Sequence, residues 1–170
     1  YRVGLLLAGV LLGTGVVGCQ QVARETPEET RVAVGFENVE RYTDVKTRYD
    51  AFADTAVLED LRTFVQREAG RRLGRGQTLP LTVTDLDLAG DFEPFRGPAM
   101  MDVRVVNAIY PPRLEFIFAL SDDSGAILKE GRERLTDMAF LRADRMPVER
   151  EDPLHFEKQL LRRWIARTLR

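Results

Sequence analysis

Residues 1–19 decide how much of this chain has to fold. Arg2 precedes an apolar run from Val3 to Val17, and the run closes on Val16-Val17-Gly18-Cys19. Two aliphatics, a small residue and a cysteine behind a short apolar segment form the pattern of a secretion leader with a lipid-attachment box. The run carries Gly4, Gly9, Gly13 and Gly15, and each glycine weakens a helix interior by about 1 kcal/mol relative to alanine. A spanning helix also needs roughly 20 apolar residues. The expectation is cleavage after Gly18 and lipidation of Cys19; the alternative is an uncleaved anchor helix with an incidental cysteine. Cys19 is the only cysteine. The rest of the chain must therefore fold on its apolar core, without internal disulfides, in a compartment where a free thiol is a liability.

Removing residues 1–18 takes away one basic residue, Arg2, and no acidic one, so the formal charge moves from −2 to −3. Nucleic-acid binders usually carry a basic excess, so this balance speaks against DNA or RNA as a partner. What remains is the size of one domain able to bury its own core. Residues 20–30 are polar, hold Pro27, Glu25, Glu28 and Glu29, and lack apolar periodicity, as a tether does. The expected layout is a leader over 1–18, lipidated Cys19 and tether over 19–30, and one globular domain over 31–170.

Periodicity orders the domain as β-α-β-β-β-β-α. Val32, Val34 and Phe36 alternate in a first strand over Arg31–Val39. Val57, Leu58, Leu61, Phe64, Val65 and Ala69 make the apolar stripe of a helix from about Ala51 to Leu73, stopped at Gly74 and Gly76. In the strand over Thr78–Leu88, Leu79, Leu81 and Val83 share one phase and Leu86 and Leu88 the other, which predicts a bulge near Asp85. Asp102–Ile109 reads as a third strand, closed by Pro111-Pro112. Arg113–Leu120 and Ala126–Leu135 read as a hairpin across Ser121–Gly125. The last helix has Asp152 as its cap and Pro153 in its first turn. Phe156, Leu160, Leu161, Trp164, Ile165 and Leu169 are its buried stripe. Lys158, Arg162, Arg163, Arg167 and Arg170 form a basic side, expected to be solvated and laced with Glu151, Asp152 and Glu157; the alternative is contact with anionic lipid or an acidic partner. The fold class expected is α+β: a two-layer sandwich with a mostly antiparallel sheet of about five strands and two helices on one face. Tyr110, Phe116, Phe118 and Trp164 are read as core.

The acidic block Asp85, Asp87, Asp91 and Glu93 is the main candidate site for a ligand or ion. Oxygen-rich clusters bind divalent cations, and paired carboxylates serve acid–base chemistry. The structural alternative is pairing with Arg104, Arg113 or Arg132 on neighbouring strands, which would pin the register. The single histidine, His155, cannot make a multi-histidine zinc site. Ser121 and Ser124 sit in a hairpin turn without a nucleophile elbow. No catalytic residue, metal centre or cofactor is expected.

Four blocks carry a resemblance: Asp85–Asp91 with Glu93-Pro94; Pro111-Pro112-Arg113; Gly131–Leu135 followed by Thr136–Leu141; and Asp152–Lys158 with Trp164. Together, from about Arg31 to the C-terminus, they resemble the bacterial family of domain of unknown function 3016. The resemblance implies secreted proteins and lipoproteins of Gram-negative bacteria, and no established activity or functional residue. The family pattern leads one to expect an aromatic, often Trp, where this chain has Phe95.

These readings point to a protein held on the periplasmic side of the envelope by its N-terminal lipid. Gln20, rather than Asp, after the cysteine favours the outer over the inner membrane. It would act by binding an envelope protein partner, in assembly or maintenance, through an exposed edge or apolar patch near Pro111 and Phe95. A small-ligand or divalent-cation sensor built on Asp85–Glu93 is the alternative, and an unrecognised hydrolase the second.

Overall fold

The computed structural model describes residues 31–44, 55–93, 95, 97, 103–143 and 152–170. The leader, the box Val16-Val17-Gly18, Cys19, the tether and the charged stretch before residue 152 lie outside the described residues.

Strand β1 (Val32–Phe36) leads through a 3-10 turn (Val39–Arg41) and helix α1 (Thr55–Gly70) to strand β2 (Leu79–Asp87). Two short strands follow, β3 (Asp91–Phe92) and β4 (Arg104–Val105), then β5 (Arg113–Ser121), β6 (Ile127–Thr136), the short helix α2 (Phe140–Ala143) and α3 (His155–Thr168). The main sheet has the order β1-β2-β5-β6. β1 and β2 are parallel, joined across α1, and the other pairs are antiparallel. Helices α1 and α3 pack on one face, so the architecture is the α+β two-layer sandwich expected from the pattern.

The core follows from that pattern. Leu61, Phe64, Val65 and Ala69 of α1 and Leu160, Leu161, Trp164 and Ile165 of α3 are buried. They cover Val32, Leu79, Leu81, Val83, Leu114, Phe116 and Phe118 of the sheet. The predicted bulge is present: the register shifts between Val83 and Asp85, so Val83 and Leu86 both point inward. α1 ends at Gly70, earlier than predicted. Arg31 draws its last turn closed, donating to Gly70 O at 3.0 Å and Gly74 O at 3.2 Å, a cation placed where the helix carbonyls leave negative charge.

The predicted third strand shrinks to two residues. Among the described residues Arg104–Val105 pairs only with Asp91–Phe92, in a ribbon outside the main sheet. The slot beside β2 goes to β5, whose Leu114, Phe116, Phe118 and Leu120 alternate strictly and are all buried. Val103, Val106 and Ile109 stay exposed and offer no comparable face. The ribbon depends on Gly90, which has φ +85° and would place a Cβ 2.7 Å from Val105 O. Gly90→Ala should therefore cost about 2–3 kcal/mol by strain and clash, read as a lower midpoint in urea unfolding; an unchanged midpoint would refute this role.

Candidate functional site

The bulge that seats Leu86 in the core turns Asp85 and Asp87 onto the open face of the sheet, beside β5. Asp87 lies opposite Arg113 and Asp85 opposite Glu115. Arg113 reaches the Asp87 carboxylate at 3.0 Å and that of Asp85 at 3.8 Å. Asp85 in turn holds the loop after the 3-10 turn, accepting from Thr43 N at 2.8 Å and Thr43 Oγ1 at 2.9 Å. Tyr42 anchors the same loop by donating its buried hydroxyl to Val83 O at 2.6 Å. Burial pushes that phenol up to about 12, so it remains a donor throughout the physiological range. Asp44 binds Arg104 through both carboxylate oxygens, at 2.8 and 2.6 Å, and Arg104 also donates to Gly90 O at 2.8 Å. Burial raises the Asp87 carboxyl above its ordinary value, outweighing the opposing pull of Arg113.

Thr43, Asp44, Asp87, Gly90 and Arg113 of this network line a cleft of about 540 Å³ at the end of the sheet. Asp44, Asp87 and Asp91 line it together with Arg113, Arg134, Tyr110 and Pro111. Ile109 and Met138 stand on its lining with 67% and 71% of their surfaces exposed. Such a cleft offers fixed charges of both signs beside apolar contact surface.

The acidic block thus divides. Asp87 and Asp91 line the cleft, Asp85 sits behind it under Thr43, and Glu93 is buried at 3% exposure. Asp91 is exposed, and its carboxylate accepts from the Phe92 amide at 2.7 Å. Of the three arginines considered as partners, Arg113 takes Asp85 and Asp87, Arg104 takes Asp44, and Arg132 is exposed on β6. Among the described residues no three His, Cys, Asp or Glu side chains group so as to hold a metal ion.

Three expectations need correction. Tyr110 is not core: it lines the cleft and is half-buried. Glu157 is not on a solvated face: it is fully buried, and its Oε1 accepts from Ala89 N at 2.7 Å. Residue 157 lies at helical spacing from Leu160, Leu161 and Trp164, so the stripe passes through it, while Phe156 turns aside against Phe140. That spacing was readable in the sequence, but the charge masked it. The basic side of α3 is also less free than its composition suggests. Lys158 bridges Asp152 and Asp60 of α1, both at 2.8 Å, Arg163 binds Asp137 at 2.7 Å, and Arg162 lies over the Phe64 ring.

The four sequence blocks converge on this corner. Arg113 joins the first to the second, and Gly90 N donates to Tyr110 O at 3.1 Å. Thr136 Oγ1 donates to Pro112 O, Arg163 of α3 binds Asp137, and Glu157 takes the Ala89 amide. A family model described as a protein of unknown function, DUF3016, matches residues 30–167. This chain belongs to the DUF3016 family. The match spans all four blocks, so the contacts that build the cleft corner of this DUF3016 protein lie within the family's own segment. No curated protein matches the chain. Among solved structures, a minor lipoprotein from Acinetobacter baumannii is similar at 8% identity over 80% of this chain and 86% of its own, with a TM-score of 0.27. A likeness that weak carries no argument.

Proposed function

We propose that this DUF3016 protein is a lipid-anchored component of the bacterial envelope that works by binding a partner protein at the cleft beside Arg113. In this reading residues 1–18 are removed, Cys19 is lipidated, residues 19–30 are a tether, and the folded domain stands on the periplasmic side, at the outer membrane. The box Val16–Cys19 supports the anchor, and the family match begins at residue 30, where the tether reading ends. The observation that carries the binding role is the cleft itself: exposed Ile109 and Met138 beside Asp91, Arg113 and Arg134. Exposed Phe95, Val103 and Val106, on and beside the ribbon, add apolar surface of the kind that marks protein contacts.

Two experiments test this. Cys19→Ser should leave unprocessed precursor in the inner membrane; normal processing of the variant would sink the anchor. A photo-crosslinking residue at Ile109 or Met138 in living cells should give a discrete adduct with one envelope protein. The same probe at Arg72, exposed at the far end of the sheet, should give none. Rim positions that label no better than Arg72 would refute the binding site.

A further inference from the structure

Strand β6 is an edge, paired only with β5 among the described residues. Every residue from Ile127 to Arg132 on it is exposed, including Ile127 at 58% and Leu128 at 51%. Its centre reads Lys129-Glu130-Gly131-Arg132-Glu133. Among the described residues none of these four charges has an ion-pair partner, although α3 and β5 both offer charged groups nearby. Edge strands are commonly blunted with charge, but protection requires no particular order of signs. Here the order is antisymmetric about Gly131.

The backbone phase limits how this edge can pair. Thr78 and Ser121 exchange both backbone hydrogen bonds, each at 3.0 Å, so the Ser121 polar groups face β2. Alternation along β5 turns those of Leu120, Phe118 and Phe116 toward β6. Their partners Lys129, Gly131 and Glu133 therefore point their own backbone groups back at β5. Glu130, Arg132 and Arg134 are left with N–H and C=O groups facing outward. A two-fold related strand must match outward groups to outward groups. Centring the dyad on Glu130 or on Arg132 sets like charges against each other. Centring it on Gly131 sets Glu130 against Arg132 of the second copy and Lys129 against Glu133, each twice by symmetry, with no like pair.

We propose that this protein forms a two-fold homodimer by antiparallel pairing of β6 with β6 of a second copy, with Gly131 at the dyad, giving one continuous eight-stranded sheet. The interface is isologous, as closed dimers require, and main-chain bonds along the edge supply attachment while the charge order supplies register. The Glu130–Arg132 pairs lie on the open face of the sheet and the Lys129–Glu133 pairs on the helix side. In this register Arg134, on the lining of the cleft beside Arg113, falls opposite Leu128 of the second copy, so the cleft adjoins the dimer interface.

Sedimentation of the full chain in detergent should show a dimer. Lys129→Glu turns two attractive pairs into two repulsive ones and should weaken dimerisation by about tenfold or more. Adding Glu133→Lys restores opposite signs and should restore the dimer, a rescue that a general folding defect would not give. In cells, Gly131→Cys should cross-link to its own copy on oxidation, because directly opposed non-hydrogen-bonded residues lie about 4.5 Å apart at Cα, within disulfide reach. A Cβ there meets only the Phe118 ring, at an ordinary 3.7 Å, and the wild-type chain, with Cys19, sets the background. Glu130→Cys and Thr136→Cys should cross-link poorly. A monomer at the highest soluble concentration, failure of the double variant to rescue, or equal cross-linking at all three positions would overturn the proposal.

Discussion

Replacing Trp164 by alanine should lower stability by about 3–5 kcal/mol, a loss of roughly 10 °C or more in melting temperature for a domain of this size. The ring is fully buried on α3 and stands edge-on to Phe116 at 4.8 Å and Phe118 at 4.9 Å between ring centres. It is therefore the main contact by which the last helix covers β5, and its removal leaves a cavity that rigid strands cannot close. The indole nitrogen has no hydrogen-bond partner among the described residues, so the ring acts through packing rather than through its N–H. Trp164→Phe, which keeps an aromatic face and removes an unmatched donor, should cost less than half as much. Chemical unfolding of the three proteins decides this; an alanine variant within about 1 kcal/mol of wild type would mean that α3 docks by other contacts.

Stability should fall as pH rises from about 5 to 8, and Glu157→Gln should remove most of that fall. Burial raises the Glu157 carboxyl from 4.5 to about 7, against the lowering effect of the bond from Ala89 N. Its second oxygen has no hydrogen-bond partner among the described residues. The folded chain thus keeps this proton to about pH 7, whereas the unfolded chain loses it near 4.5. Between those values the folded state binds more protons, so the free energy of unfolding decreases with pH and levels off above the folded value. The full span corresponds to roughly 3 kcal/mol. A glutamine can still accept from Ala89 N and carries no charge to desolvate. Wild type and variant should match near pH 5 and diverge by pH 8, the variant being the more stable. Parallel urea-unfolding profiles across that range would show that Glu157 does not carry the dependence.

Much of the fold was legible because burial in strands and helices leaves a periodic trace. The stripes of both helices, the hairpin around Gly125 and the bulge before Leu86 all followed from where apolar residues recur. The bulge was legible for a definite reason: Val83 and Leu86 belong to opposite phases of a two-residue period, and only an extra residue lets both face the core. Arg113 as partner of Asp85 and Asp87 was one of three candidates on charge alone, and only the register singled it out. The cleft was not legible, since Asp44, Asp87, Tyr110, Arg134 and Met138 come from separate segments with no common spacing. Glu157 and Tyr110 depart from expectation because position outranks residue type: Glu157 falls on the buried stripe and Tyr110 on the cleft lining.

The sequence by itself determined the long strands, the two main helices, most of their inward faces and the family, because these are local or periodic properties of the chain. Tertiary structure alone decided which strand stands beside β2, which arginine answers which carboxylate, and that among the described residues β6 is left as an open edge with Lys129, Glu130, Arg132 and Glu133 outside any ion pair. Those outcomes are competitions between distant segments for the same surface. Their result depends on shape and register, which no single stretch of residues encodes.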